Sequence, residues 1–295
     1  MPVGKNLGKV NMKRKIYDKL LQWKNEKDGT TALMIEGARR IGKSYIAERF
    51  AEKEYESYIL IDFSKAPARV RGWFDEYLED IDTLLQNIQL HYKKKLTPRK
   101  SLIIFDEVQK CPRAREAIKA LVEDHRFDYI ETGSLIKKKK NVDDILIPSE
   151  EDGIEMYPMD FEEFMWAMGD EVMYPYIRKC FETNKPMGDF HREAMRYFRQ
   201  YLIVGGMPQA VKEYVNSRDF NKVDAVKRQI LRLYRNDIKK YAGSAKTKVA
   251  SIFEAIPGQL QKNEKKFKLA DLNDEARMRD YDSAFFWLND ARLAN

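Results

Sequence analysis

Two stretches of this chain hold residues whose types and spacing suit chemistry on a phosphate chain. The first is Gly37–Ser44, GARRIGKS, which fits the pattern G-x-x-x-x-G-K-[ST]. Gly37 and Gly42 can take backbone angles that other residues avoid, and they leave room for a phosphate group. The backbone amides of Ala38, Arg39, Arg40, Ile41 and Gly42 can face phosphate oxygens. Those of Lys43, Ser44 and Tyr45 extend the set if a helix opens there, with the positive end of its dipole. Lys43 brings a full charge toward the β- and γ-phosphates. The Ser44 hydroxyl can complete the shell of a Mg²⁺ whose other ligands are water and phosphate.

The second stretch is Ser101–Glu107, SLIIFDE, in which four apolar residues end in two acids. A buried parallel strand would deliver both acids at its carboxyl end. Asp106 can hold Mg²⁺ through water, and Glu107 can polarise an attacking water as general base. A phosphotransferase would not need that second acid, because its nucleophile is a substrate hydroxyl. A smaller signal is Arg126–Glu131, read as a strand that ends in Thr132–Gly133–Ser134. Inserted between the loop-bearing strand and the acid-tipped strand, it would bring the hydroxyl of Thr132 or Ser134 near a γ-phosphate. An ordinary strand-end turn carries nearly equal weight for either residue alone.

These residues need elements to position them. Ala32–Ile35 is a short apolar run suited to a buried strand, and Ile46, Ala47 and Phe50 recur at helical spacing after Ser44. Ile16, Leu20 and Trp23 share one face of a helix between Lys13 and Lys27, which Asp28–Gly29 ends. Tyr58–Phe63 reads as a second apolar strand, Pro67–Trp73 as a loop and Leu78–Tyr92 as a helix. Pro112–Glu123 reads as one helix and Ile154–Pro158 as a last short strand. From Phe161 the pattern turns helical, over 161–166, 172–182, 190–204, 208–214 and 221–241, punctuated by Gly205–Gly206. Three short helices follow at 249–256, 267–272 and 278–293, and Tyr281, Phe285 and Leu288 share a face of the last.

Composition narrows the class. The chain has 295 residues, 43% hydrophobic and 34% charged, with net charge +7. No apolar run spans a bilayer and the N-terminus lacks the apolar core of a signal peptide, so no membrane and a cytoplasmic setting are expected. Cys111 and Cys180 stand too far apart for a metal-ligand motif, and His91, His125 and His191 are isolated. Lys93–Lys95 with Arg99 and Lys100, and Lys137–Lys140, form basic clusters compatible with DNA. Solvated loops are the plainer reading of both.

Five segments together resemble a known family: GARRIGKS, SLIIFDE, YIETGS, MYPMDFEEF and YLIVGGMPQAV. The chain from about Met12 is similar to the bacterial and archaeal AAA+-type ATPases that carry an uncharacterised C-terminal domain. That resemblance implies an α/β fold, a P-loop NTPase parallel sheet with helices on both faces, then a helical lid and a winged-helix-like region. It implies the cofactors ATP and Mg²⁺, hydrolysis of ATP, and a homo-oligomer or another protein as partner. It assigns phosphate and metal roles to Lys43 and Ser44, metal and water roles to Asp106 and Glu107, and the sensor to Thr132 or Ser134. The implied layout is a flexible tail at 1–11, a core at 12–158, a lid at 159–244 and a winged-helix-like segment at 245–295. Relatives carry a Gly-Arg pair before the MYP segment, where this chain has Ser149–Glu150–Glu151–Asp152. Arg39, Arg40, Arg113, Arg115 and Arg235 are candidate substitutes for that arginine, with a surface arginine the plainer reading of each. Relatives also continue past residue 295, so the last helix's apolar face is expected to want cover. The rival reading is an ATP-bound nucleic-acid-binding module with little turnover.

Overall fold

The structure is a computed structural model that describes residues 12–134, 150–262, 266–273 and 277–294. The tail 1–11, the cluster Lys137–Lys140 and most of the polar stretch before Glu150 lie outside the described residues. The chain divides into two compact units, one of Gly29–Arg39, Ala51–Glu155 and Leu231–Asn295, the other of Met1–Asp28, Arg40–Phe50 and Met156–Ile230.

The first unit holds a parallel sheet of five strands: β1 (Ala32–Glu36), β2 (Ser57–Asp62), β3 (Ser101–Asp106), β4 (Asp128–Gly133) and β5 (Glu151–Glu155). Their order is β2-β3-β4-β1-β5. All neighbours run parallel, with Leu33 opposite Ile130 and Ile104 opposite Ile130 from the other side. Burial on both faces explains the apolar run Leu102–Phe105 of β3; β4 is buried at every residue too, although it carries Asp128, Glu131 and Thr132. One face packs Ile61, Phe105 and Tyr129 against Val70, Phe74, Leu85, Ile88 and Leu121. Phe63, Phe74 and Phe105 meet edge to face at 5.5–5.6 Å between ring centres, a geometry favoured by the ring quadrupole.

Three local readings are corrected. The last strand is Glu151–Glu155, not 154–158; it is a polar edge strand whose register comes from β1, with Glu151 opposite Ala32 and Glu155 opposite Glu36. The stretch read as a loop is helix Ala68–Glu76, which buries Val70, Trp73 and Phe74 at helical spacing behind Pro67. Residues 112–123 form two short helices, Pro112–Glu116 and Ile118–Glu123, that meet at Ala117.

The same unit carries the end of the chain. Helix Lys246–Leu260 packs on helix Met278–Asp290, so that Val249, Ile252, Ala284 and Leu288 are buried with Ile238. Tyr281 and Phe285 pack at the margin of that cluster. The Leu288 face therefore has its cover inside this chain, where the sequence alone suggested none.

The second unit is helical. Its helices are Ile16–Lys27, Phe161–Ala167, Met173–Glu182, His191–Val204 and Pro208–Ser217, with the start of Lys43–Glu54 and of Phe220–Tyr241. Phe164, Ala194, Val204, Val211 and Tyr214 form its core.

Candidate functional site

Parallel strands all finish on one edge, and three adjacent strands bring the chemical residues there. Strand β4 lies between β1 and β3, as the insertion argument required. Glu36, the last residue of β1, stands opposite Gly133, and Phe105 stands opposite Glu131. Gly37–Arg39, Thr132–Ser134 and Asp106–Glu107 therefore leave the sheet side by side. The Thr132 hydroxyl donates to Asp106 Oδ1 and accepts from the Glu107 amide at 3.3 Å. One buried hydroxyl thus ties the two acids together. Glu107 takes φ +55, a left-handed conformation that costs a non-glycine residue energy and recurs at functional turns. Gln109 Nε2 donates to Glu107 Oε2 at 2.6 Å and to Ser134 Oγ at 3.3 Å. Nothing in the sequence singled out Gln109; its only signal is a place two residues after the acid pair.

The second half of the loop belongs to the helical unit. Arg40 has φ +69 and Gly42 φ +96. A Cβ on Gly42 would find only ordinary contacts, at 3.8–3.9 Å to Arg14, Met156 and Pro208. Conformation, not crowding, demands the glycine there. The helix then opens at Lys43, with Ile46 donating to the Gly42 carbonyl at 3.0 Å. Lys43 and Ile41 are buried, Ser44 is half-buried and Tyr45 is exposed.

Arg14, which the sequence did not flag, pins this half-loop from behind. Its guanidinium donates to the Ile41 carbonyl at 2.8 Å, the Tyr157 carbonyl at 2.5 Å and Glu163 Oε1 at 3.1 Å. Glu163 is itself fixed by a reciprocal cap with Asp160, with bonds of 2.9 and 3.1 Å. Met159 donates to the Gly206 carbonyl at 2.7 Å, and Tyr201 Oη donates to the Met159 carbonyl at 2.9 Å. A Cβ on Gly206 would lie 2.1 Å from the Met159 oxygen. The MYPMDFEEF and GGMP segments are thus each other's partners, and together they form the bracket that holds Arg14.

The five arginines proposed for the missing cation fall into two groups. Arg39 pairs with Asp237 at 2.5 Å, and Arg113 with Asp75 at 3.1 Å and Glu116 at 2.6 Å. Arg115 grips Glu151 with two bonds of 3.1 and 2.7 Å, and Arg235 grips Glu254 with bonds of 2.5 and 2.8 Å. Arg40 is exposed. Among the described residues no three His, Cys, Asp or Glu side chains gather into a metal cage. A Mg²⁺ that rides on phosphate oxygens needs less, one carboxylate and one hydroxyl, and Asp106 and Ser44 are of that hard-oxygen type. No helix among the described residues is long and apolar enough to cross a membrane.

Residues 29–165 match the family model described as an AAA domain, and residues 195–295 match one described as a domain of unknown function. Among solved structures, a Walker-type ATPase of Pyrococcus abyssi is similar at TM-score 0.56 and 16% identity, over 95% of this chain and 90% of that one. PCH-2 of C. elegans is similar at TM-score 0.31 and 15% identity, over 74% of this chain and 65% of that one. No curated protein matches the chain. The chain therefore has the P-loop NTPase fold, with a match to the AAA domain over residues 29–165 and to a domain of unknown function over 195–295.

Proposed function

We propose that this protein binds ATP with Mg²⁺ and hydrolyses it to ADP and phosphate, using the cycle as a conformational switch. The observation that carries the reading is the sheet edge. The glycine loop leaves β1, the acid pair ends β3, and a hydroxyl-tipped strand lies between them. Gly37, Ala38, Arg39, Arg40, Ile41, Gly42 and Tyr45 wrap the phosphates with backbone amides, and Lys43 neutralises the β- and γ-oxygens. Ser44 and Asp106 hold the metal. A Mg²⁺ held there would supply charge neutralisation to the phosphates. Glu107 takes the proton of the attacking water, Gln109 fixes its carboxylate, and Thr132 and Ser134 are the sensor hydroxyls.

Two variants test this. Lys43→Ala removes ATP binding in calorimetric titration. Glu107→Gln keeps binding and lowers phosphate release by a factor of about 10²–10⁴, the usual contribution of a positioned base. Release at the unaltered rate from Glu107→Gln would remove the general base from this scheme. A second reading, DNA binding with little turnover, draws on helix Phe220–Tyr241, which exposes Lys222, Arg228, Arg232, Arg235, Lys239 and Lys240. Salt-dependent DNA binding untouched by Lys43→Ala would favour it.

A further inference from the structure

Within the first unit, the C-terminal helical pack is tied to the phosphate loop and again to β5. Arg39 Nη1 donates to Asp237 Oδ1 at 2.5 Å, and Tyr234 Oη donates to the Arg39 carbonyl at 2.6 Å. A single turn of helix Phe220–Tyr241 thus grips one loop residue by both side chain and backbone. That turn is itself anchored. Tyr234 is buried with its ring 6.5 Å from Phe253, and Ile238 is buried with Val249, Ile252 and Leu288. The second fastening pairs Arg292 with Glu155. Glu155 stands opposite Glu36, the residue before Gly37. Both ties therefore meet the sheet where the loop begins.

Arg39 has competing anions in reach. Burial works against its charge, but Asp237 outweighs burial and, with the charge of Glu107, holds the guanidinium's pKa above the ordinary arginine value. The group stays cationic at any working pH, so geometry decides which anion it pairs with. A triphosphate offers several oxygens and more charge than one carboxylate, and guanidinium forks pair with phosphate in two-bond fashion.

We infer that Arg39 is a nucleotide-state relay: a bound triphosphate draws its guanidinium from Asp237, and the Tyr234–Asp237 turn passes the change to the C-terminal helices. This rests on the nucleotide reading above and gives the domain of unknown function the part of output element. Tyr234 and Asp237 are positioning residues, since they act through Arg39.

The test uses the full chain without nucleotide, with ADP and with ATP. Hydrogen exchange over residues 231–241 rises with ATP and less with ADP. Asp237→Asn binds ATP about tenfold more tightly, because one competing charged partner is gone. In that variant, exchange over 231–241 is high at the outset and ATP adds nothing. Arg39→Gln abolishes the ATP response, and adding Asp237→Asn to it changes ATP affinity no further. Tyr234→Phe keeps the ring packing and weakens the response, which covers the case of a poorly folded Asp237→Asn. The relay is overturned if the unaltered chain binds ATP with identical exchange in all three states, or if Asp237→Asn binds ATP no better. Failure of the unaltered chain to bind ATP at all overturns the nucleotide reading and the relay with it.

Discussion

Glu131 lies in the middle of β4 with no exposure, and neither of its carboxylate oxygens meets a donor among the described residues. Its neighbour is the Glu151 carboxylate, held by Arg115, on which the charge of Glu36 also acts. Burial first, then Glu151, raises the Glu131 pKa well above the usual glutamate value. The folded chain therefore binds this proton more strongly than the unfolded chain does. The resulting stability is complete below about pH 4.3, the ordinary glutamate range. It declines as pH climbs toward the folded-state value, by up to about 1.4 kcal/mol per pH unit. Glu131→Gln keeps the shape and a donor toward Glu151 while removing the titration. Urea unfolding from pH 5 to 8 should show a flatter stability profile for this variant, with its largest gain at pH 8. An unchanged slope would mean that Glu131 does not titrate in that window. The sequence displayed this glutamate only as the end of an apolar strand. Its burial depends on Arg115 and Glu151, which come together only in the fold, whereas Lys43, Asp106 and Glu107 announced themselves because their chemistry is tied to fixed local spacing.

Elements were legible where their own residues decide them. β1 and β3 carry the apolar runs Ala32–Ile35 and Leu102–Phe105 because both faces are covered, and helix Ile81–Tyr92 carries its cap in Asp80, which accepts from Thr83 at 3.0 Å. β5 was misplaced because an edge strand of sequence EDGIE has little apolar pattern, and its register is imposed by β1. The Met159–Gly206 bracket was visible as two unusual segments but not as a joint, since 47 positions separate them. Its physics is steric and can be measured. Gly206→Ala would drive a Cβ to 2.1 Å from the Met159 oxygen, and backbone atoms cannot step aside as a side chain can. A cost of about 1–3 kcal/mol follows from such overpacking, read as a lower urea midpoint. Gly153→Ala is the control: a Cβ there meets nothing within 4 Å. Alanine in that strand should leave stability unchanged or raise it by about 0.5–1 kcal/mol. Equal losses at both positions would show that the Met159 contact does not set the response.

At the scale of the whole molecule, the hydrolysis proposed above needs a cation for the developing phosphate charge. The acidic Glu150–Glu151–Asp152 stands where relatives of the resembled family carry an arginine, and Glu151 is already spent on Arg115. Arg113 and Arg235 are likewise committed to carboxylates of this chain; Arg39, paired with Asp237, is the one that the relay proposed above frees when a triphosphate binds. Each guanidinium would have to break an ion pair before it could assist a reaction. An arginine supplied in trans by a second copy can contribute about 10³–10⁵ in rate in P-loop enzymes, and concentration dependence tests for it. Isolated chains should turn ATP over slowly, and specific activity should rise with protein concentration. A net charge of +7 makes copies repel at low salt. The measurement therefore belongs near 0.15 M salt, where screening sets in at about 8 Å. Dilution at fixed ATP should lower phosphate release per chain, while ATP binding per chain stays constant. Specific activity that is flat across a hundredfold range of concentration would place the missing cation within the single chain, and Arg40, exposed in the loop itself, would be the residue to replace next.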